Sequence, residues 1–187
     1  MRYIDLMETR IALFRGINVG GKNVLPMKEL TSMLEDIGAR NVKTYIQSGN
    51  AVFQPEEADA RLLADEIRAV TGERHGFEPH VLVLTLEEFE DAVESNPFPE
   101  AESEPKTLHL LFLDSSPESP DLGSLENIKG ERESFSLNDR VFYLHAPDGI
   151  GRSKLAANAE KLLGVPATAR NWRTVGKVLA LARQCGV

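Results

Sequence analysis

Three polar segments of this chain carry residues that could hold an anion. The first is Phe14-Arg15-Gly16-Ile17-Asn18-Val19-Gly20-Gly21-Lys22-Asn23. It falls one residue short of the phosphate-binding loop G-x-x-x-x-G-K-S/T, in which backbone amides cradle the phosphates, the lysine reaches the terminal ones and the hydroxyl holds magnesium. Asn23 has no hydroxyl, and Asn23-Val24-Leu25-Pro26 delays the next helix because a residue before proline disfavours the α region. That reading is therefore rejected. What remains is a glycine-rich loop with exposed amides, Arg15, Asn18 and Lys22, to be weighed against a plain turn whose glycines supply positive φ.

The second segment is Asp148-Gly149-Ile150-Gly151-Arg152-Ser153-Lys154, and the third is Thr168-Ala169-Arg170-Asn171-Trp172. Each leads into a helix N-terminus, where free N–H groups and the helix dipole favour negative charge. The turn Gln47-Ser48-Gly49-Asn50 adds directed hydrogen-bonding groups. The candidate ligand-binding set is thus Arg15, Asn18, Gly20, Gly21, Lys22, Gln47, Ser48, Asn50, Gly151, Arg152, Ser153, Lys154, Arg170 and Asn171. The arginines and lysines would hold the anion, the glycine amides would cradle it, and the asparagines and Gln47 would orient the rest. Plainer roles compete with these. Ser153 and Asn171 suit helix N-caps, worth about 1 kcal/mol each. Trp172 could stack on a ring, but core packing of the last helix is the better reading.

No catalytic set assembles. His75, His80, His109 and His145 have no metal-ligand spacing such as H-x-x-x-H, so no metal is expected. His145 precedes the Gly-Arg-Ser-Lys segment and is the one to test as a general base. Ser48 and Ser153 show no histidine partner in the sequence, and Asp148 reads as a turn residue. Neither a catalytic residue nor a cofactor is assigned, and the question of enzyme or binding protein stays open.

Composition narrows the classes. The 187 residues are 42% hydrophobic and 27% charged, enough for one compact domain or two small ones and too apolar for wholesale disorder. A net charge of −8 makes nucleic acid an unfavourable partner in general, because the long-range field repels phosphates. A basic loop can override this only within about one Debye length of roughly 8 Å. The single cysteine, Cys185, excludes an intrachain disulfide framework. No apolar stretch approaches a membrane span, and the acidic N-terminal residues do not suit a signal peptide. A cytoplasmic protein without a membrane partner is expected.

The elements that must position these residues repeat. Strands are read at Ile11–Phe14, Val42–Gln47, Ala51–Gln54 and His80–Leu84, with a helix that holds Pro26 in its first turn and ends near Gly38, a second over Ala58–Val70, and a third from Thr85, where Thr85 and Glu88 form a capping box. The second half follows with a strand at Leu108–Leu113, a weak helix near Gly123–Ile128, a hairpin of Glu133–Leu137 and Arg140–His145 around Asn138-Asp139, a helix over Ser153–Leu163, a strand at Ala167–Arg170 and a last helix capped by Asn171. Both halves read β-α-β-β-α-β-α. The expected fold is therefore α+β, with two tandem ferredoxin-like subdomains, each βαββαβ plus a helix, with antiparallel-rich sheets packed into one compact unit. The division expected is 1–98 and 99–187, the latter including the linker.

Topology then groups the motifs. In the first half, the loop after strand one and the turn at Ser48-Gly49-Asn50 fall at the same end of the sheet. In the second half, the loop after the third strand and the segment after the fourth share an end. If the halves pack head to tail, all four segments line one cleft.

Taken together, Arg15–Asn23, Tyr45–Phe53, Asn96-Pro97-Phe98, Asp148–Lys154 and Thr168–Val175 resemble the domain of unknown function (DUF) 1697 family, in order and from about Ile11 to Ala182. The resemblance implies a bacterial-type cytosolic protein with a two-part α+β fold, and it implies no particular activity. The functional expectation is binding of a small phosphate- or carboxylate-bearing ligand in a cleft between the subdomains. Two alternatives are kept. One is a module for RNA or single-stranded nucleic acid, which would need Phe14, Phe53, Phe112, Phe142 and Tyr143 exposed on the central strands. The other is an interaction or scaffold protein, including a homodimer, that uses the acidic Glu94–Glu104 loop.

Overall fold

The computed structural model describes residues 7–185. The chain divides into two compact units: residues up to Asp91 together with those from Lys177 onward, and Ala92–Gly176. The protein is α+β, with two four-stranded antiparallel sheets.

The first unit holds β1 (Arg10–Arg15), α1 (Met27–Asp36), β2 (Arg40–Tyr45), β3 (Asn50–Gln54), α2 (Ala60–His75), β4 (His80–Thr85) and most of α3 (Leu86–Glu94). Its sheet runs β2-β3-β1-β4. Helical spacing places Leu30, Met33 and Leu34 of α1, and Leu63 and Ile67 of α2, against Ala12, Phe14, Ala51, Phe53, Val81 and Val83. Burying each large side chain of this set contributes roughly 1.5–3 kcal/mol. The intervening residues Ile11, Leu13, Val52, Leu82 and Leu84 are buried too, as their apolar character on both faces requires. The capping box forms in both directions: Glu88 N–H donates to Thr85 Oγ1 (3.0 Å), and Thr85 N–H donates to Glu88 Oε2 (2.8 Å).

Among the boundaries that differ from the sequence reading, three have a clear local reason. Pro26 is extended (φ −59°, ψ 140°) and caps α1 from outside its first turn. The second strand stops at Tyr45 because Ile46 turns left-handed (φ 50°) and the Asn50 amide closes the turn on Tyr45 O (2.9 Å). The helix expected to end at Val70 continues to His75. Thr71 is buried and returns its hydroxyl to Ile67 O (2.7 Å), so it does not break the helix, and Gly76 (φ 77°) supplies the stop.

The second unit holds β5 (Leu108–Leu113), α4 (Leu122–Ile128), β6 (Ser134–Asn138), β7 (Val141–His145), α5 (Lys154–Leu163), β8 (Ala167–Asn171) and the start of α6 (Trp172–Cys185). The sheet order is β6-β7-β5-β8. Leu125 of α4 and Leu155, Ala159 and Leu163 of α5 pack on Leu111, Leu113, Phe142, Leu144 and Ala167. The Phe135 and Phe142 rings stack at 5.4 Å between centroids.

On the sheet face away from these helices, the buried Tyr143 hydroxyl donates to Ala92 O at 2.7 Å, and burial pushes its pKa from 10.0 up to about 12. A raised folded-state pKa means that ionisation favours unfolding. The stability tied to this hydroxyl should be complete below pH 10 and be lost as pH rises towards 12. Alkaline denaturation curves of the wild type and Tyr143→Phe are expected to converge across that window.

Candidate functional site

Strand register assembles one end of the second sheet. Leu108 and Ser134 both pair with His145, and His109 pairs with Asn171. The start of β5, the start of β6 and the ends of β7 and β8 therefore lie together. Residues 129–133 and 146–153 are the loops at that end, and α5 begins there. They line an open groove of about 730 Å³ running from Asn127 to Glu133 and bounded opposite by Asp148, Gly149, Arg152, Ser153 and Lys154.

The α5 side of the groove is built by local chemistry. Gly149 (φ 94°) allows the chain to turn, its N–H donating to Ala146 O at 2.9 Å. A single 3₁₀ turn over Ile150–Arg152 follows. Ser153 is the N-cap: its Oγ accepts from Ala156 N–H (3.0 Å) and its carbonyl from Ala157 N–H (3.1 Å). The N–H groups of Lys154 and Leu155, the first two helical residues, have no intrahelical acceptor. Opposite them, Arg132 pairs with Asp148, Lys129 pairs with Glu126 at 3.0 Å, and Glu133 accepts from Gly130 N–H at 2.8 Å. An exposed ion pair such as Arg132 with Asp148 contributes at most about 1 kcal/mol. Arg152 and Lys154 are exposed, and neither head group meets a carboxylate among the described residues.

Arg170 does not join them. It pairs in register with Leu110, on the sheet face away from α5, whereas α5 covers the face of Leu111 and Leu113. It is almost fully buried, donates to Ala169 O (2.9 Å), and burial alone pulls its pKa down to about 10. Asn171 caps α6, its Oδ1 accepting from Thr174 N–H at 2.9 Å. Trp172 is half-buried. His145 lies on the same face as Arg170, its ring 6.2 Å from that of Phe98.

The remaining candidates form a corner of the first unit. Val19-Gly20-Gly21-Lys22 is a tight hairpin turn with Gly20 and Gly21 left-handed (φ 58° and 73°), closed by Lys22 N–H on Val19 O at 3.0 Å. Asn18 is the staple of this loop. Its Oδ1 accepts from Leu25 N–H (2.8 Å), and its Nδ2 donates to Leu25 O (2.9 Å) and Gln47 O (2.8 Å). Asn23 Nδ2 donates to Gly16 O at 2.9 Å. Asn50 is buried, its amide held by Tyr45 O and Ser48 Oγ. Arg15 is engaged as well. Lys22 is exposed, and its ammonium has no partner among the described residues. The asparagines of the loop are thus engaged in holding its shape.

The model of the family described as protein of unknown function (DUF1697) matches residues 7–143. The chain belongs to the DUF1697 family. Among solved structures, the DUF1697 chain is similar to the conserved bacterial protein SP0830 from Streptococcus pneumoniae, at 27% identity and a TM-score of 0.68, over 94% of this chain and 98% of that one. A comparison with curated proteins returned no match. Among the described residues, no helix is long and apolar enough to cross a membrane, and no cluster of three His, Cys, Asp or Glu side chains could hold a metal ion.

Sequence reasoning did not single out the wall of the groove formed by Asn127 to Glu133. The signal was available: a hairpin of β6 and β7 necessarily puts the residue before β6 beside the residue after β7. His109, one of the histidines without metal-ligand spacing, has surroundings that carry a consequence. It lies on the α5 face of β5, buried, with Nδ1 unpartnered. Burial lowers its pKa from 6.5, a backbone hydrogen bond at Thr107 working the other way. A depressed folded-state pKa gives stability that is complete above pH 6.5 and falls as the pH drops below it. The DUF1697 chain should therefore lose melting temperature between pH 6.5 and 5, and His109→Asn should flatten that slope.

Proposed function

We propose that this protein binds a small phosphate- or carboxylate-bearing ligand in the groove at the α5 N-terminus. One observation carries the reading: Arg152 and Lys154, both without a carboxylate partner among the described residues, flank the open N–H groups of a capped helix inside a groove of about 730 Å³. In a chain of net charge −8, Arg152 and Lys154 beside a helix N-terminus give a local attraction for an anion, which works against Glu131, Glu133 and Asp148 of the same groove. Gly151 and Ser153 shape this wall. The first-unit residues Arg15, Asn18, Gly20, Gly21, Gln47, Ser48 and Asn50 are read as the frame of their own corner, with Lys22 at its tip. The alternative of base stacking on the central strands loses support, because Phe14, Phe53, Phe112, Phe142 and Tyr143 are all buried.

A thermal-shift panel of inorganic phosphate, pyrophosphate, sugar phosphates and dicarboxylates tests this. A true ligand at a hundredfold excess over its dissociation constant stabilises by about 2.7 kcal/mol. The double variant Arg152→Ala/Lys154→Ala should abolish that gain while keeping its own melting point near that of the wild type. A panel without any shift, or a shift that survives the double variant, refutes the proposal.

We also infer that each half, residues 1–98 and 99–187, is a ferredoxin-like module and that the two arose by duplication. The strand orders β2-β3-β1-β4 and β6-β7-β5-β8, with helices at the same two places in each, support this.

A further inference from the structure

Among the described residues, the exposed large hydrophobics are Val19, Val24, Ile46, Leu62 and Leu122. Val19, Val24 and Ile46 share one corner of the first unit. They lie on the loop after β1 and the turn after β2, which are tied together by Asn18 Nδ2 on Gln47 O (2.8 Å) and by Phe14 N–H on Gly49 O (2.9 Å). Val19 is 68% exposed, Val24 55% and Ile46 46%. The corner is a stiff frame rather than a loose loop, since the Gly20-Gly21 turn and the side chains of Asn18 and Asn23 fix it at both ends. Ile46 sits in the left-handed region at φ 50°, where a β-branched side chain is strained. Asparagine would occupy the same backbone with less strain and would leave a polar group in water. The fold instead holds a strained aliphatic side chain exposed, on the turn tied to the loop that carries two exposed valines and Lys22.

The same unit carries a complementary patch. Leu62, 58% exposed, stands on the first turns of α2. Residues 56–66 read Glu-Glu-Ala-Asp-Ala-Arg-Leu-Leu-Ala-Asp-Glu, with Arg61 the lone cation of the stretch. Glu66 is exposed, and its carboxylate has no partner among the described residues. β3 leads into this patch from Gln54, the end of the strand opposite the Ile46 turn. One end of the unit therefore offers aliphatic groups with a cation, and the other offers an aliphatic group with acids.

We propose that the Val19, Val24 and Ile46 corner docks on the Leu62 patch of a second copy of this chain. Two copies side by side in opposite directions make the contact twice about a two-fold axis, so the assembly closes as a dimer. Lys22 of each copy then faces Glu66 of the other, which gives the contact its polarity, while the aliphatic groups supply the affinity.

Sedimentation velocity over a concentration series up to millimolar tests this. The wild type should show a reversible monomer–dimer equilibrium. Lys22→Glu has acids at both ends of the contact and Glu66→Lys has cations at both, so each alone should stay monomeric where the wild type dimerises. An equimolar mixture of the two should dimerise again, because both contacts become complementary. Ile46→Asn and Leu62→Ser should each weaken the dimer about tenfold or more, and Ile46→Asn should also raise the melting point through release of strain. A wild type that is monomeric throughout, charge variants that dimerise as the wild type does, a mixture that stays monomeric, or an Ile46→Asn protein that is more stable yet equally dimeric would each overturn the proposal.

Discussion

Gly49→Ala is expected to destabilise the first unit by about 3 kcal/mol or more, the sum of a left-handed backbone penalty and forced overpacking. Gly49 has φ 86°, and a Cβ built there would lie 2.5 Å from Ile17 Cδ1 and 2.7 Å from Phe14 Cβ. Phe14 and Ile17 are fully buried, and Phe14 Cβ moves only if β1 moves. The turn cannot retreat either, because Gly49 O accepts from Phe14 N–H at 2.9 Å. Gly20 and Gly21 provide the control. They are also left-handed but have nothing within 4 Å of an added Cβ, so alanine at either position should cost only about 1–2 kcal/mol from the backbone. Urea denaturation of the three variants separates the two contributions, and equal losses for Gly49→Ala and Gly20→Ala would show that the steric account is mistaken.

The second large effect is expected at Asn18. Asn18→Ala removes the acceptor for Leu25 N–H and the donor to Leu25 O and Gln47 O, and it leaves a non-glycine residue at φ 54° without the local bonds that stabilise asparagine there. Leu25 is fully buried, so its N–H loses its partner in an apolar setting. The cost is expected at about 3 kcal/mol. Lys22→Ala, four residues on at an exposed position, should change stability by no more than about 0.5 kcal/mol. Denaturation midpoints and amide exchange at Leu25 and Gly49 check this, since loss of the staple should speed exchange at Leu25 first. An Asn18→Ala protein as stable as the wild type would mean that the loop does not depend on its asparagine.

Much of the fold was legible because its signals are local. The Thr85 and Glu88 capping box, the Ser153 and Asn171 caps and the run Leu108–Leu113 each depend on neighbours within a few residues. They appear where short-range chemistry puts them. Strand direction was legible for the same reason, and it grouped the loop after β7 with the start of α6. Sheet face was harder. Arg170 and Asn171 are adjacent in sequence, yet their side chains lie on opposite faces of β8, so a basic run that looked like one site separates into a buried arginine and a helix cap. The glycine-rich loop after β1 carries a distinction of another kind. Its asparagines have the composition of a ligand site, and they bond within the loop and to Gln47 O of the neighbouring turn, partners that sequence spacing does not reveal. The acidic and basic residues of 127–133 drew no notice because their pattern is that of an ordinary solvated loop. Only the register of β6 against β7 brings them beside Arg152.

The central claim is that an anion binds at the α5 N-terminus, and an amide-resolved NMR titration with inorganic phosphate tests it most directly. Saturable shifts are expected in residues 129–133 and 149–156, with Lys154 and Leu155 N–H moving most, and they should disappear in Arg152→Ala/Lys154→Ala. Shifts that gather instead around Gly20, Gly21 and Lys22, or that never saturate and spread over every exposed cation, would contradict it.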